Sequence, residues 1–494
     1  MANGQGWSMA TNTHPLRDIL TGIQDPTVAV TIHTDAQSDT TTITHVTIDS
    51  RLVEPGSLYV ALVGMTVDGH DYVAAAATVG AVAAIVSHTK APELARAYGW
   101  SVVSVGAPPP AHWAGLLLIA VADPLTALQR WATWHRQRYN PPFVVGITGS
   151  VGKTSTKEFI GALLDDAMPT LRNPRSYNSE STLPLVALGL TAMHRAAVFE
   201  MGMYYPGDIA TLCAIAHPNI AVITAVGPSH LERMGSIEAI AEAKAELVHA
   251  IPATGVVILN ADDPIVAGFA TRTKARVLTY GMAQHADVRA VDIEQRGLEG
   301  TEFRLIAPGI DDRVHLAAPG MHQVRNLLAA ITVGIVAQVP WQTMRDTIAH
   351  RLPTVRFVVL NGIDDTQIID DSYNAAPTSV RAALELLATV QRRRVAVLGD
   401  MRELGHIEEA AHREVGILAS QCVDVLVTVG ERGQYIAAGA RDAGLSAVFE
   451  VQGTEAAIPV VRSVIAPRDC VLVKGSRAMA MEAIVTALCT QTTK

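Results

Sequence analysis

The segment Val144–Lys157, VVGITGSVGKTSTK, concentrates the residue types that hold phosphate. A β-branched run leads into Gly149, Ser150, Val151 and Gly152, and Lys153, Thr154 and Ser155 open a helical stretch. Glycines let backbone N–H groups turn inward onto phosphate oxygens, and a helix N-terminus adds partial positive charge. A lysine at this point neutralises β/γ-phosphates, and the threonine hydroxyl can ligate Mg²⁺. The strict pattern G-x-x-x-x-G-K-[ST] would need a glycine at Ile147, so Thr148 to Ser155 form a variant of it. The chain has 31 arginines but seven lysines, so a lysine inside a glycine-rich turn is unlike its general surface. The order of strand, turn, Lys-Thr and helix predicts ATP binding.

Three further residues extend the chemistry. Glu200 closes the apolar run AAVFE, and the C-terminal end of a parallel strand faces the crevice where such sheets bind ligands. His230 lies in the loop GPSHLE after the next run. Lys244 falls on the apolar side of the helix expected over Ser236–Ile251, which Pro252 closes. Taken singly these read as an ion-pair partner, a structural histidine and a snorkelling lysine. Downstream of a phosphate loop, together with Thr154, they form a candidate site for one or two Mg²⁺ ions. Periodicity does not explain why Lys244 points inward.

The elements that must position these groups follow from pattern. Runs at 144–148, 196–201, 220–226, 255–260, 394–400, 424–430 and 470–475 are nearly continuous in apolar residues and alternate with amphipathic helical stretches. This predicts an α/β protein with parallel sheets buried on both faces. A β excursion is expected over 284–316, and a polar hairpin over Asn361–Asp365. With 494 residues, about three domains are expected. The stiff Asn140-Pro141-Pro142 linker and the change near Arg351–Val355 give boundaries of 1–139, 140–352 and 353–494.

Composition excludes several classes. A net charge of −9 lacks the basic face that nucleic acid requires. The apolar runs Val73–Ser87 and Ala114–Ala122 are shorter than a spanning helix, so no membrane insertion is expected. Residues 1–15 carry no leader pattern and read as a frayed start. Cys213, Cys422, Cys470 and Cys489 form no C-x-x-C pair, which fits a reducing, cytoplasmic setting.

The ordered motifs TGSVGKTSTKE, SYNSESTLPL, FEMG, GPSHLERMGS, AKAEL and LNADD resemble the Mur ligase family, ATP-dependent amide-forming ligases of peptidoglycan precursor synthesis. The resemblance implies a three-domain architecture with a central P-loop ATPase domain and a C-terminal Rossmann-like domain. It implies that Lys244 is carbamylated, becoming an oxygen-donor anion toward Mg²⁺, with Glu200 and His230 as further ligands. Asn178, beside Ser179, would lie near the γ-phosphate and the acyl acceptor. The family usually has Ile-Gly where this chain has Ser181-Thr182.

The region IDSRLVEPGSLYVALVGMTVDGHDYV resembles the family's nucleotide-sugar-binding domain, with Ser50 and Arg51 where UDP-muramoyl contacts are expected. IIDDSYNAAPTSVRAAL (368–384), VLGDMRELG (397–405) and VKGSRAMAMEAIV (473–485) resemble the branch that adds D-alanyl-D-alanine to UDP-N-acetylmuramoyl-tripeptide. Ala376 stands where that branch has Asn, and no D-N-P-R motif of the third-residue ligases occurs. By the same resemblance Tyr373, Asn374, Lys474 and Arg477 would bind substrate. In GMHQVRNLLAAI, Asn326 would lie beside adenine, while Arg356 would reach phosphate and Asp371 the ribose. The partners implied are small molecules, and a monomer is expected. The alternative is another ligase of this type, adding the third residue or extending a polyglutamate chain.

Overall fold

The structure is a computed structural model that describes residues 13–24, 41–107, 110, 112–355 and 357–489. Most of the expected frayed start, and Arg356, lie outside the described residues. The chain divides into two compact units, residues 1–144, 169–201 and 210–218 in one and 145–168, 202–209 and 219–494 in the other.

The first unit contains a five-stranded parallel sheet in the order His45–Thr47, Ser57–Val60, Ala83–Ser87, Leu117–Val121, Ser101–Ser104. Here the long apolar run Val73–Ser87 resolves into a short helix, Val73–Val79, and a buried strand. Gly80, left-handed at φ 118°, ends the helix between them. Two secondary elements, rather than one span, therefore account for its hydropathy. Among the described residues no helix is long and apolar enough to cross a membrane. The frayed start is corrected at its end: His14–Pro15 pairs with Thr42–Ile43, and the His14 ring packs edge-on to Trp131 at 5.1 Å. Burial, followed by the neighbouring His135, pushes the His14 imidazole down to about 3. It is an apolar contact, not a loose end.

The second unit holds two sheets. In the first, Phe143–Thr148, Ile220–Ile223, Val256–Asn260, Arg276–Gly281 and Val288–Gln295 run parallel in that spatial order. Thr301–Ala307 and Ile310–Leu316 then extend it antiparallel, so the expected β excursion is an edge of this sheet. The helix expected over 236–251 spans Ile237–Ala250, with the Ser236 hydroxyl accepting the Ala239 N–H at 3.1 Å.

The second sheet has the order Val358–Asn361, Gln367–Asp370, Cys470–Lys474, Arg394–Gly399, Val425–Val429, Val448–Val451, parallel except for the first strand. The hairpin entering it turns on Asp364 and Asp365, both left-handed. Side chains alternate across the sheet with the period of two. Ala396, Leu398, Leu426 and Leu472 enter one apolar cluster with the helices Pro377–Ala388 and Glu408–Cys422. Val395, Val397, Val425, Val427, Val471 and Val473 enter another with Thr454–Val464 and Glu482–Leu488. The sheet is thus wound on both faces, as the continuous apolar strands require.

Leu472 is wholly buried in the first of these clusters. Leu472→Ala should lower stability by about 2–5 kcal/mol through lost burial and the cavity left behind. Chemical denaturation measures this, and an unmoved transition would contradict the two-faced core.

Candidate active site

The phosphate loop is built by close backbone approach. Gly149 sits at φ 153° and Gly152 at φ 86°, where L-residues are strained. A Cβ on Gly149 would lie 1.9 Å from Thr224 Oγ1, and one on Gly152 would lie 2.7 Å from Asn326 Oδ1. Thr224 closes the loop from the next strand by donating its hydroxyl to Val151 O at 2.6 Å. The Ser150 hydroxyl donates to Gly227 O and accepts the Gly227 N–H, both at 2.9 Å. The loop is therefore clamped to Thr224–Gly227 before any ligand arrives. Lys153 begins the helix Lys153–Asp165, and its amine bends back to donate to the carbonyls of Gly149 and Ser150. Thr148 and Ser155 are buried at either end of this turn, and Thr154 lies in the first helical turn.

Asn326 is built into the same support. Its Oδ1 accepts from the Thr156 hydroxyl at 3.2 Å, and its amide donates to Gln323 Oε1 at 3.1 Å. Gln323 thus holds the residue expected beside adenine.

Lys244 points inward, and the structure shows its surroundings. It is 2% exposed, and its amine lies 4.0 Å from the Met203 sulfur. Burial, and secondly the charge of Lys153, hold its pKa well below the usual lysine range. Burial of this kind disfavours the charged form of an amine. His230 is left-handed at φ 58°, with its ring edge-on to Tyr204 at 5.2 Å. Its Nδ1 is hydrogen-bonded to the carboxylate of Glu403. Burial lowers the imidazole pKa, and Glu403 opposes that shift.

In the other unit, Glu200 ends the strand Ala196–Glu200 and is 1% exposed. Asn178 donates to its Oε1 at 2.7 Å, so these two expected residues meet. Asn173 accepts the Glu200 N–H at 2.7 Å and donates back to the Glu200 carbonyl at 3.3 Å. Sequence reading missed Asn173, although an Asn five residues before Asn178 in LRNPRSYN was visible. Asp49 caps the Ser50–Leu52 turn, accepting the Arg51 N–H at 3.0 Å and its guanidinium at 2.7 Å. The side-chain bond from Arg51 holds the Asp49 carboxyl below the usual carboxylate range.

At the six-stranded sheet, the expected substrate residues gather at the end of Cys470–Lys474. Lys474, 2% exposed, donates to Asp371 at 2.6 Å and to Asn374 O at 2.8 Å. The Arg477 N–H reaches Asn374 Oδ1 at 3.4 Å, and its guanidinium lies 5.2 Å from the Tyr373 ring centre. Lys474 and Asp371, read from sequence as separate ligand contacts, are partners of each other. Among the described residues no group of three or more His, Cys, Asp or Glu could hold a metal ion. The expected metal set is of another kind, one Thr, one Glu, one His and one Lys.

Three family models match the chain: "Mur ligase family, catalytic domain" over 42–132, "Mur ligase middle domain" over 147–334, and "Mur ligase, glutamate ligase domain" over 355–477. The UDP-N-acetylmuramoyl-tripeptide--D-alanyl-D-alanine ligase of Bacillus subtilis is 33% identical over 91% of this chain and 94% of its own. A crystal structure of MurF from Acinetobacter baumannii superposes with a TM-score of 0.80 at 26% identity, covering 96% of this chain and 98% of that one. MurF ligase from Thermotoga maritima in complex with ADP gives 0.73 at 26% identity, covering 90% and 96%.

Gly149→Ala should abolish nucleotide binding while leaving the fold intact, because its methyl group would displace Thr224 from the loop. Calorimetric titration with ADP tests this, and wild-type affinity in the variant would contradict the steric reading.

Proposed function

The chain belongs to the Mur ligase family, and on that premise we infer that it joins D-alanyl-D-alanine to UDP-N-acetylmuramoyl-tripeptide. The reaction consumes ATP, proceeds through an acyl phosphate and releases ADP and phosphate. The observation that carries this reading is likeness over about nine-tenths of the chain to a ligase of that name. The relative's name also leaves third-residue addition and polyglutamylation unfavoured. The reading takes domains of 1–139, 140–352 and 353–494 in a cytoplasmic monomer.

The chemistry starts from an inert acid. The terminal carboxylate of the tripeptide attacks the γ-phosphorus, ADP leaves, and the dipeptide amine then attacks the acyl carbon and expels phosphate. The first step brings an anion to a polyanion, so fixed positive charge is the main requirement. In this reading Lys153 exchanges its loop carbonyls for phosphate oxygens, and the amides from Thr148 to Ser155 hold the same group. Asn326 and Arg356 contact the nucleotide, and Asp371 contacts the ribose while keeping Lys474 as its partner. Ser50 and Arg51 hold the UDP end. Tyr373, Asn374, Lys474 and Arg477 hold the dipeptide, and Asn178 steadies Glu200 near the reacting acid.

Mg²⁺, when bound, supplies further charge at phosphate oxygens. Thr154, Glu200, His230 and Lys244 would hold it. The donor set fits if Lys244 is carbamylated, and its surroundings favour that change. CO₂ adds only to an unprotonated amine, burial shifts Lys244 toward that form, and the carbamate anion would gain from Lys153 nearby.

Two outcomes are expected. Phosphate release in the presence of UDP-muramoyl-tripeptide should be stimulated by D-alanyl-D-alanine. Stimulation by diaminopimelate or glutamate instead would favour the alternative ligases. Lys244→Ala should lose about 10²–10³ in rate, the scale of a lost preorganised charge, and should recover partly with added short-chain carboxylates. Full activity without them would remove the carbamate from the reading.

A further inference from the structure

Glu403 has no role in the reaction described so far, yet it is aimed at the site. It follows the strand Arg394–Gly399 of the six-stranded sheet, whereas His230 follows Ile220–Ile223 of the phosphate-loop sheet. Both residues adopt left-handed backbone, at φ 65° and 58°. Non-glycine residues hold that conformation only where their surroundings enforce it.

The surroundings here are specific. The Glu403 carbonyl accepts the Glu232 N–H at 3.1 Å, and its carboxylate lies 3.6 Å from the Arg233 guanidinium. Arg233 in turn lies 4.9 Å from the ring centre of Tyr204, the ring that meets His230 edge-on. The loop carrying Glu403 is tied from behind. Arg402 N–H donates to Ser476 Oγ at 2.9 Å, and Met401 N–H donates to His412 Nε2 at 3.0 Å. The buried Asp400 accepts the N–H groups of Arg432 and Gly433, both at 3.0 Å. The carboxylate therefore reaches the imidazole on a rigid arm.

We propose that Glu403 is a positioning residue: it accepts the Nδ1 proton of His230, fixes that tautomer, and so leaves the Nε2 lone pair to a divalent cation. A ring nitrogen can ligate a metal only when it carries no proton, and the bond made by the other nitrogen decides which one is free. The assignment rests on the reading of His230 as a metal ligand. It adds that the phosphate-loop sheet does not prepare this ligand alone, because the six-stranded sheet supplies the group that orients it.

The test uses the full chain, free of metal and labelled with ¹⁵N-histidine, at mildly alkaline pH. Long-range proton–nitrogen spectra report the tautomer, and His230→Ala identifies the signals. His230 should be Nδ1-protonated in the wild type and should lose that preference in Glu403→Ala. Mn²⁺ binding, followed by the signal of the free ion, should weaken about 10- to 100-fold in Glu403→Ala. It should be largely restored in Glu403→Gln, whose amide oxygen still accepts the Nδ1 proton. An Nε2-protonated His230 in the wild type overturns the proposal whether or not the alanine variant folds. Wild-type Mn²⁺ affinity in Glu403→Ala beside weakened binding in His230→Ala overturns it as well. Unchanged binding in His230→Ala instead removes the ligand assignment beneath it.

Discussion

Positive charge gathered in a partly buried region is the constraint around which the phosphate-loop site is organised. After burial itself, the charge of Lys153 lowers the proton affinity of both His230 and Lys244. Each meets the problem differently. Lys153 turns its amine onto two loop carbonyls. His230 is hydrogen-bonded to a carboxylate carried by a loop of the other sheet. Lys244, with a thioether as neighbour, is pushed by burial toward the uncharged amine. A polyanion entering such a region meets a backbone turn already in place, with only the Lys153 amine left to exchange partners, and fixed dipoles of this kind are what electrostatic catalysis draws on.

That arrangement needs stiff support, and the two sheets give it by simple means. The loop glycines let the backbone lie against Thr224 and Asn326 with no side chain between. In the six-stranded sheet, alternate residues of the four inner strands enter opposite apolar clusters. The strand ends, where Glu403, Asp371 and Lys474 are carried, are therefore fixed from both faces. Functional side chains on strand ends inherit the rigidity of the layer beneath them.

Much of this was legible in the residues. Continuous apolar runs announced parallel strands, and the Gly-Lys-Thr turn announced the loop, because both depend on neighbours in sequence. Asn178 and Glu200 were each singled out, and they do meet. What stayed hidden depends on contacts between remote segments. Glu403 partners a histidine 173 positions away, and Asp371 and Lys474, 103 positions apart, neutralise one another. Asn173 looked like one more polar loop residue, because its work is done through the backbone of Glu200. The inward turn of Lys244 was visible, but its lowered proton affinity was not, since desolvation depends on what the whole fold packs around it.

The 173-position separation also bears on how the protein is made. While ribosomes are still synthesising the chain, the phosphate loop and His230 emerge well before Glu403, and nascent domains generally fold in order of appearance. A half-finished polypeptide thus carries the phosphate loop and His230 without Asn326, which backs the loop, and without the carboxylate bonded to the histidine. The residues gathered around the site are therefore complete only once the last third of the sequence, which carries Asp371, Glu403 and Lys474, has been made.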